Sequence, residues 1–163
     1  MLKLILTRRS IREWNSKPVS DVEIRHLLEA AMNAPSAMNE QAWQFIILRG
    51  EVLEKVIALN SNTPKGAPAA ILVCQDIRAE KAAGYSSQDC AAAVENILLA
   101  AHAAGLGAVW TAVPKNNFKA LRQTLNFPED IHPFAIIPIG HPTGPAPQAE
   151  SRFDATKVHI QGW

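Results

Sequence analysis

Three guanidinium groups and a hydroxyl fall within the five residues Arg8-Arg9-Ser10-Ile11-Arg12. Guanidinium forks meet phosphate oxygens with paired hydrogen bonds, and the neighbouring serine adds a hydroxyl and a main-chain donor, so this density makes an anion trap. Further along, Ala34-Pro35-Ser36-Ala37-Met38-Asn39-Glu40-Gln41-Ala42-Trp43 is a turn dense in small and amide side chains. Such a turn lets main-chain N–H groups and an Asn/Gln pair approach a flat polar ligand closely. Together the two segments point to a phosphate-bearing, hydrogen-bonding ring system, a nucleotide or a flavin. Arg152, far away in sequence, is a candidate to complete the clamp. An isolated Arg-Arg at an element boundary is more often solvated, or paired with a neighbour such as Glu13. The nearby Pro-Ser turn shifts that balance.

Other chemistries find little support. The histidines His26, His102, His132, His141 and His159 show no metal-ligand spacing, and no Ser/His/Asp arrangement stands out. The formal net charge of +1 over 163 residues lacks the basic bias of a dedicated nucleic-acid binder, so the anion is expected to be small. Cys74 lies in an apolar run and reads as core. Cys90, near a helix start, reads as a packed small residue, with a low-pKa thiol as the alternative. With no Cys-x-x-Cys and no disulfide-rich spacing, a reducing compartment is the simpler expectation. The opening Met1-Leu2-Lys3-Leu4-Ile5-Leu6 is too short an apolar run for a signal peptide or membrane span. The expectation is therefore a cytoplasmic protein with no membrane and no nucleic-acid partner.

The elements that must position these residues follow from periodicity. Leu2, Ile5 and Leu6 give a turn or two of helix, after which Arg8 to Trp14 reads as an extended exit. Ser20-Asp21-Val22-Glu23 is a capping box, and Ile24, Leu27, Leu28 and Ala31 follow at helical spacing until Pro35 enforces a stop. That helix delivers the Pro35–Gln41 turn at its C-terminal end. Trp43 to Leu48 is predicted as a strand, Glu51 to Leu59 as a helix, 60–66 as a loop of turn formers, and Ala69 to Cys74 as a buried strand. An Ala-rich helix from Ser87 or Gln88 through Ala104, closed by Gly105, is predicted to be central or to lie at a dimer contact. A strand over Gly107 to Val113, a helix over Asn117 to Leu125 and a strand over Phe134 to Ile139 complete the order. This is not a regular βαβ alternation, so the expected class is α+β in one domain spanning 1–163. A proline-rich arm over about 142–163 ends in apolar and aromatic residues, which favours its packing on something.

The chain resembles the nitroreductase family of FMN-dependent, NAD(P)H-using oxidoreductases, in particular its short members, along nearly its whole length. The residues that carry the resemblance are 8–12, 34–43 and Gln88-Asp89-Cys90-Ala91-Ala92-Ala93-Val94-Glu95-Asn96-Ile97-Leu98-Leu99-Ala100-Ala101. Gly105-Leu106-Gly107-Ala108-Val109-Trp110-Thr111, Ile139-Gly140-His141-Pro142, and Arg152 followed by the closing Trp163 also fit. The resemblance implies a central sheet flanked by helices and an intertwined homodimer with FMN at the subunit interface. Matching positions imply that Arg8, Arg9 and Ser10, with Arg152, hold the phosphate and ribityl end. They imply that Arg12 lies near N1 and O2 of the ring, and that Pro35, Ser36, Ala37 and Asn39 reach across from the partner subunit. Trp110, Thr111 and Ala112 would line the ring with main-chain donors near N5.

What is implied in turn is reduction of nitroaromatics, quinones or similar electron-poor acceptors by NADH or NADPH, through ping-pong kinetics. No catalytic nucleophile and no metal are expected, because the flavin carries the chemistry. Two alternatives are a flavin enzyme specialised for one physiological substrate and a non-catalytic FMN-binding protein. The chain departs from the family's usual pattern at Ala42, where proline is common, at Ser151, where a lysine often stands, and in its shortness. No role is assigned to Asn60, Asn62 or Lys65. Tyr85 is either a ring-stacking aromatic or loop filler.

Overall fold

In the computed structural model, which describes residues 2–148 and 150–163, the helices are α1 (Leu2–Thr7), α2 (Asp21–Met32), α3 (Gly50–Leu59), α4 (Ser86–Ala103) and α5 (Phe118–Leu125). The strands are β1 (Trp43–Arg49), β2 (Ala69–Asp76), β3 (Gly107–Ala108), β4 (Thr111–Ala112) and β5 (Ile131–Gly140). All pairings are antiparallel, in the order β1-β2-β5-β3, with β4 also on β5. The architecture is α+β, as expected.

Helices cover both faces of this sheet. On one face Ala69, Ile71, Val73, Ala135, Ile137 and Ile139 pack with α2 and α4, chiefly through Ile24, Leu27, Val94 and Ile97. On the other, Ala70, Leu72 and Ile136 pack with Leu53, Val56 and Leu121 of α3 and α5. Burial on both faces explains why β2 is an unbroken apolar run rather than an alternating one. The Ala-rich α4 is the central helix, its small side chains allowing it to lie against α1, α2 and the sheet. Ser20 and Glu23 close the expected capping box on α2, with the Ser20 N–H donating to Glu23 Oε2 at 2.7 Å and the Glu23 N–H to Ser20 Oγ at 3.2 Å.

One predicted strand is corrected. Gly107 to Val113 is two short strands separated by Val109 and Trp110. The Val113 N–H donates to Phe134 O at 3.3 Å, so by antiparallel alternation residues 134, 136 and 138 turn their main-chain groups toward β3 and β4. Pro138 has no N–H to offer opposite Val109, and the ladder breaks there. Pro133 stands at the bulge where pairing with β2 shifts between Val73 and Cys74, one of the few places a central strand tolerates proline.

The C-terminal arm is tied to its own chain at its start, where Pro142 bridges Trp14 and the Thr143 N–H donates to Glu13 O, and its far end is uncovered. Phe153, Val158 and Ile160 are exposed, and Trp163, wholly exposed, stacks on His159, with ring centroids 4.1 Å apart. Among the described residues no helix is long and apolar enough to cross a membrane.

Candidate functional site

Arg8 to Trp14 runs as an extended segment along the outer edge of β3. The Ile11 N–H donates to Ala108 O at 3.0 Å and the Trp14 indole N–H to Gly107 O at 2.8 Å. Gly107 is needed for this approach, because a Cβ there would sit 2.5 Å from Ile11 Cγ2. The segment is pinned at both ends, since the Asn15 N–H donates to His141 O at 2.9 Å.

This pinning divides the arginines between two adjoining clefts. Arg8 and Arg9 line one of about 620 Å³ together with Glu95, Glu150, Ser151 and Arg152. Ser10 and Arg12 line another of about 350 Å³, closed by the Pro142–Pro147 bend. Three guanidinium-bearing residues from opposite ends of the chain thus converge on one concavity. The two neighbours Arg8 and Arg9 are not equivalent. Arg9 donates through Nη1 to Arg8 O at 2.8 Å and through Nη2 to Gln148 O at 3.4 Å, so its fork holds main chain and ties down the start of the arm. Arg8 meets Glu95 Oε1 through Nε at 3.5 Å, a contact that does not use its Nη groups.

The Pro35–Gln41 turn is strained and heavily braced. Met38, Asn39 and Gln41 have left-handed backbone, with φ of 50°, 56° and 53°, at an expected cost of order 1 kcal/mol each. Four hydrogen bonds offset this. The Ala37 N–H donates to Asp89 Oδ1 at 3.0 Å, the Gln41 N–H to Ser36 Oγ at 3.0 Å, Gln41 Nε2 to Asn39 Oδ1 at 3.1 Å, and the Ala82 N–H to Glu40 Oε1 at 2.7 Å. Asp89 is buried, and its Oδ2 has no hydrogen-bond partner among the described residues. Pro35, Ser36, Ala37 and Asn39 line neither arginine cleft, so within one chain the turn and the clamp are not brought together.

At β4 the alternation that breaks the ladder also opens an edge. Thr111 faces β5, whereas the N–H and C=O of Ala112 both turn away from it. The Thr111 hydroxyl is committed internally, donating to Ile136 O at 2.7 Å and lying 3.0 Å from Thr63 Oγ1. Trp110 packs at 5.6 Å on the Phe134 ring and keeps one side in solvent. The Ala112 N–H and the free side of this indole are therefore open here, the Ala112 carbonyl being held by Asn60 at 3.1 Å.

Several residues that matter were not picked out in the sequence. Asn60 and Thr63 are buried polar residues packed against β4. Glu40 and Asp89 brace the turn; Glu95, which the sequence leaves open between an arginine's partner and a solvated face, pairs with Arg8. A composition-poor loop and a charged helix residue carry no local signal of such long-range partners. The cysteines resolve as core, since burial pushes both the Cys74 and Cys90 thiols up to about 12, which sets aside a reactive thiol. Tyr85 is half exposed just before α4. Among the described residues no group of three or more His, Cys, Asp or Glu is arranged to hold a metal.

A helix-clad antiparallel sheet with guanidinium clefts along the extended segment on β3 defines an α+β domain built around an anion site. Within that class, the chain belongs to the Nitroreductase family, whose model matches residues 5–65 and 58–141. A relative in Methanothermobacter thermautotrophicus, named "Putative NADH dehydrogenase/NAD(P)H nitroreductase", is 42% identical across all of this chain and 87% of its own. A crystal structure from Clostridium acetobutylicum, named "Putative NADH Oxidase", superposes with a TM-score of 0.92 at 40% identity, covering 98% of this chain and 99% of that one. A crystal structure from Desulfovibrio desulfuricans, named "a putative nitroreductase in complex with fmn", superposes with a TM-score of 0.86 at 33% identity over 99% of this chain and 96% of that one.

Proposed function

We propose that this chain is an FMN-dependent oxidoreductase that takes electrons from NADH or NADPH and passes them to nitroaromatics, quinones or similar electron-poor acceptors. The observation that carries the reading is the convergence of Arg8, Arg9 and Arg152 on one cleft, next to an extended segment that presents Ser10 and Arg12 to the adjoining one. The donor set fits FMN: guanidinium groups for a phosphate, a hydroxyl for the ribityl chain, and outward main-chain groups at Ala112 for a ring edge. FMN, when bound, supplies the two-electron chemistry that none of these side chains possesses.

The chain's own contribution is electrostatic and positional. Arg8 and Arg152 neutralise the phosphate while Arg9 holds the arm that bears Arg152. Arg12 is the cation for the N1–O2 edge, where two-electron reduction lodges negative charge and where a preorganised cation is most effective. Trp110, Thr111 and Ala112 offer main chain toward N5, the Thr111 side chain being spent on the sheet. One open site used in turn by donor and acceptor gives ping-pong kinetics.

The functional unit in this reading is a homodimer. Pro35, Ser36, Ala37 and Asn39 lie away from the clamp of their own chain and serve that of a second copy. The uncovered side chains of α1 (Leu2, Ile5, Leu6) and of the arm (Phe153, Val158, Ile160, Trp163) are the surface such a copy would cover. The deciding experiment is an anaerobic titration of the purified protein, reconstituted with FMN, using NADH and NADPH. Bleaching of a flavin bound at about one per chain, with parallel lines in a two-substrate rate matrix, is expected. A protein that cannot take up FMN refutes the cofactor, a bound flavin that neither nicotinamide bleaches refutes the donor, and intersecting lines refute the ping-pong order.

A further inference from the structure

We infer that Asn60 is a positioning residue for the flavin site: its side-chain amide holds the carbonyl of Ala112 and thereby aims the main-chain donor that the β4 edge presents to the ring. The inference rests on the flavin reading above. Asn60 is fully buried at the end of α3, where an unpaired amide would be costly, and both of its donors and one acceptor position are used. Nδ2 donates to Ala112 O at 3.1 Å and to Thr63 Oγ1 at 2.9 Å, while Oδ1 accepts from Asn117 Nδ2 at 3.2 Å. Thr63 Oγ1 continues to the Thr111 hydroxyl, and that hydroxyl to Ile136 O. The network therefore joins the end of α3, the segment leading into α5, and β4, and it anchors β4 back onto β5.

β4 needs this support because of what surrounds it. It is two residues long, the ladder that it and β3 make with β5 is interrupted at Pro138, and among the described residues only β5 pairs with it. In an extended residue the N–H and C=O point the same way, so a bond that fixes the Ala112 carbonyl also fixes the direction of the Ala112 N–H. A helix cap alone would not require a donor spent on a carbonyl 52 residues away. The Ala112 carbonyl decides which way the amide is turned, since it can only accept and so requires Nδ2 to face it, which leaves Oδ1 to accept from Asn117.

The test compares the wild-type holoprotein with Asn60→Leu, which keeps the approximate volume and removes both donors, and with Asn117→Ala, which removes only the bond that steadies the amide from its Oδ1 end. For each, the FMN dissociation constant, the midpoint potential of the bound flavin and the thermal midpoint of the apoprotein are measured. Asn60→Leu is expected to raise the dissociation constant about tenfold, one buried hydrogen bond's worth, and to shift the potential. Asn117→Ala moves both in the same direction by a smaller factor, and decides the matter if Asn60→Leu does not fold. Folded variants that lose thermal stability while keeping the wild-type dissociation constant and potential reduce Asn60 to a helix cap and overturn the inference. Wild-type protein that takes up no FMN overturns the flavin reading itself, and this inference with it.

Discussion

Replacing Arg8 and Arg9 one at a time separates two jobs that adjacent, identical side chains perform. Arg8 is one-fifth exposed, and its nearest charge is the half-exposed Glu95 at 3.5 Å. A pair of that kind contributes about 0–1 kcal/mol, so Arg8→Ala should leave the apoprotein within roughly 1 kcal/mol of wild type. The Nη groups that Glu95 does not engage remain for the phosphate. Losing a charge-assisted contact of that sort weakens FMN binding by about 1.5 to 3 kcal/mol, a factor of roughly 10 to 150 in dissociation constant. Arg9 presents the reverse balance. Its fork holds Arg8 O and Gln148 O, and two such bonds, partly solvated, are worth about 1 to 2 kcal/mol of fold stability. Arg9→Ala should therefore lower the denaturation midpoint of the apoprotein more than Arg8→Ala does, and weaken FMN less. Fluorescence titration of FMN with apoprotein gives the affinities, and urea denaturation gives the stabilities. An Arg8→Ala protein with wild-type FMN affinity, or an Arg9→Ala protein as stable as wild type, would refute the division of labour.

Three further predictions test the surrounding framework. Deleting Arg152 to Trp163 removes one clamp arginine and the exposed Phe153, Val158, Ile160 and Trp163, so size-exclusion chromatography should show loss of both dimer and colour; a yellow dimer would contradict this. Gly107→Ala puts a Cβ 2.5 Å from Ile11 Cγ2 and 2.8 Å from Ile11 Cβ, close enough that the arginine segment must shift, at an expected cost of about 1 to 3 kcal/mol; denaturation equal to wild type would show that the segment does not lie against β3. Hydrogen bonds from Arg78 hold the Asp76 carboxyl down at about 2, against an ordinary 3.8. Because the folded value is the lower one, the pair's stabilisation is complete above about pH 4 and is lost as pH falls toward 2. Exposure of Arg78 screens the pair and keeps its contribution small. Thermal midpoints of wild type and Asp76→Asn should converge over that window, and a constant gap would exclude the linkage.

Local chemistry made much of the protein legible. The Ser20/Glu23 capping box, the helical spacing of Ile24, Leu27 and Ala31, and the unbroken apolar run of β2 are short-range signals, and each marks its element because capping and periodicity act within a few residues. The arginine segment was legible as an anion trap for the same reason: its donors lie within one short stretch of chain. Beta pairing was less so. The strand expected over Gly107–Val113 divides because of Pro138, which lies across the ladder and far along the chain, so no window around Val109 contains the cause.

By itself the sequence determined which residues have the chemistry to hold a phosphate, where most helices and strands run, and which family the motifs resemble. Only the tertiary structure decided how those residues share the work. It spends the Arg9 fork on main chain and leaves the Nη groups of Arg8 available, turns the Thr111 hydroxyl inward and the Ala112 main chain outward, and buries Asn60 beneath that edge. It also leaves the Pro35–Asn39 turn away from its own chain's clamp and the far end of the arm exposed. The physical reason is that a side chain's hydrogen-bonding capacity follows from its type, whereas its available capacity depends on which distant groups have already claimed it.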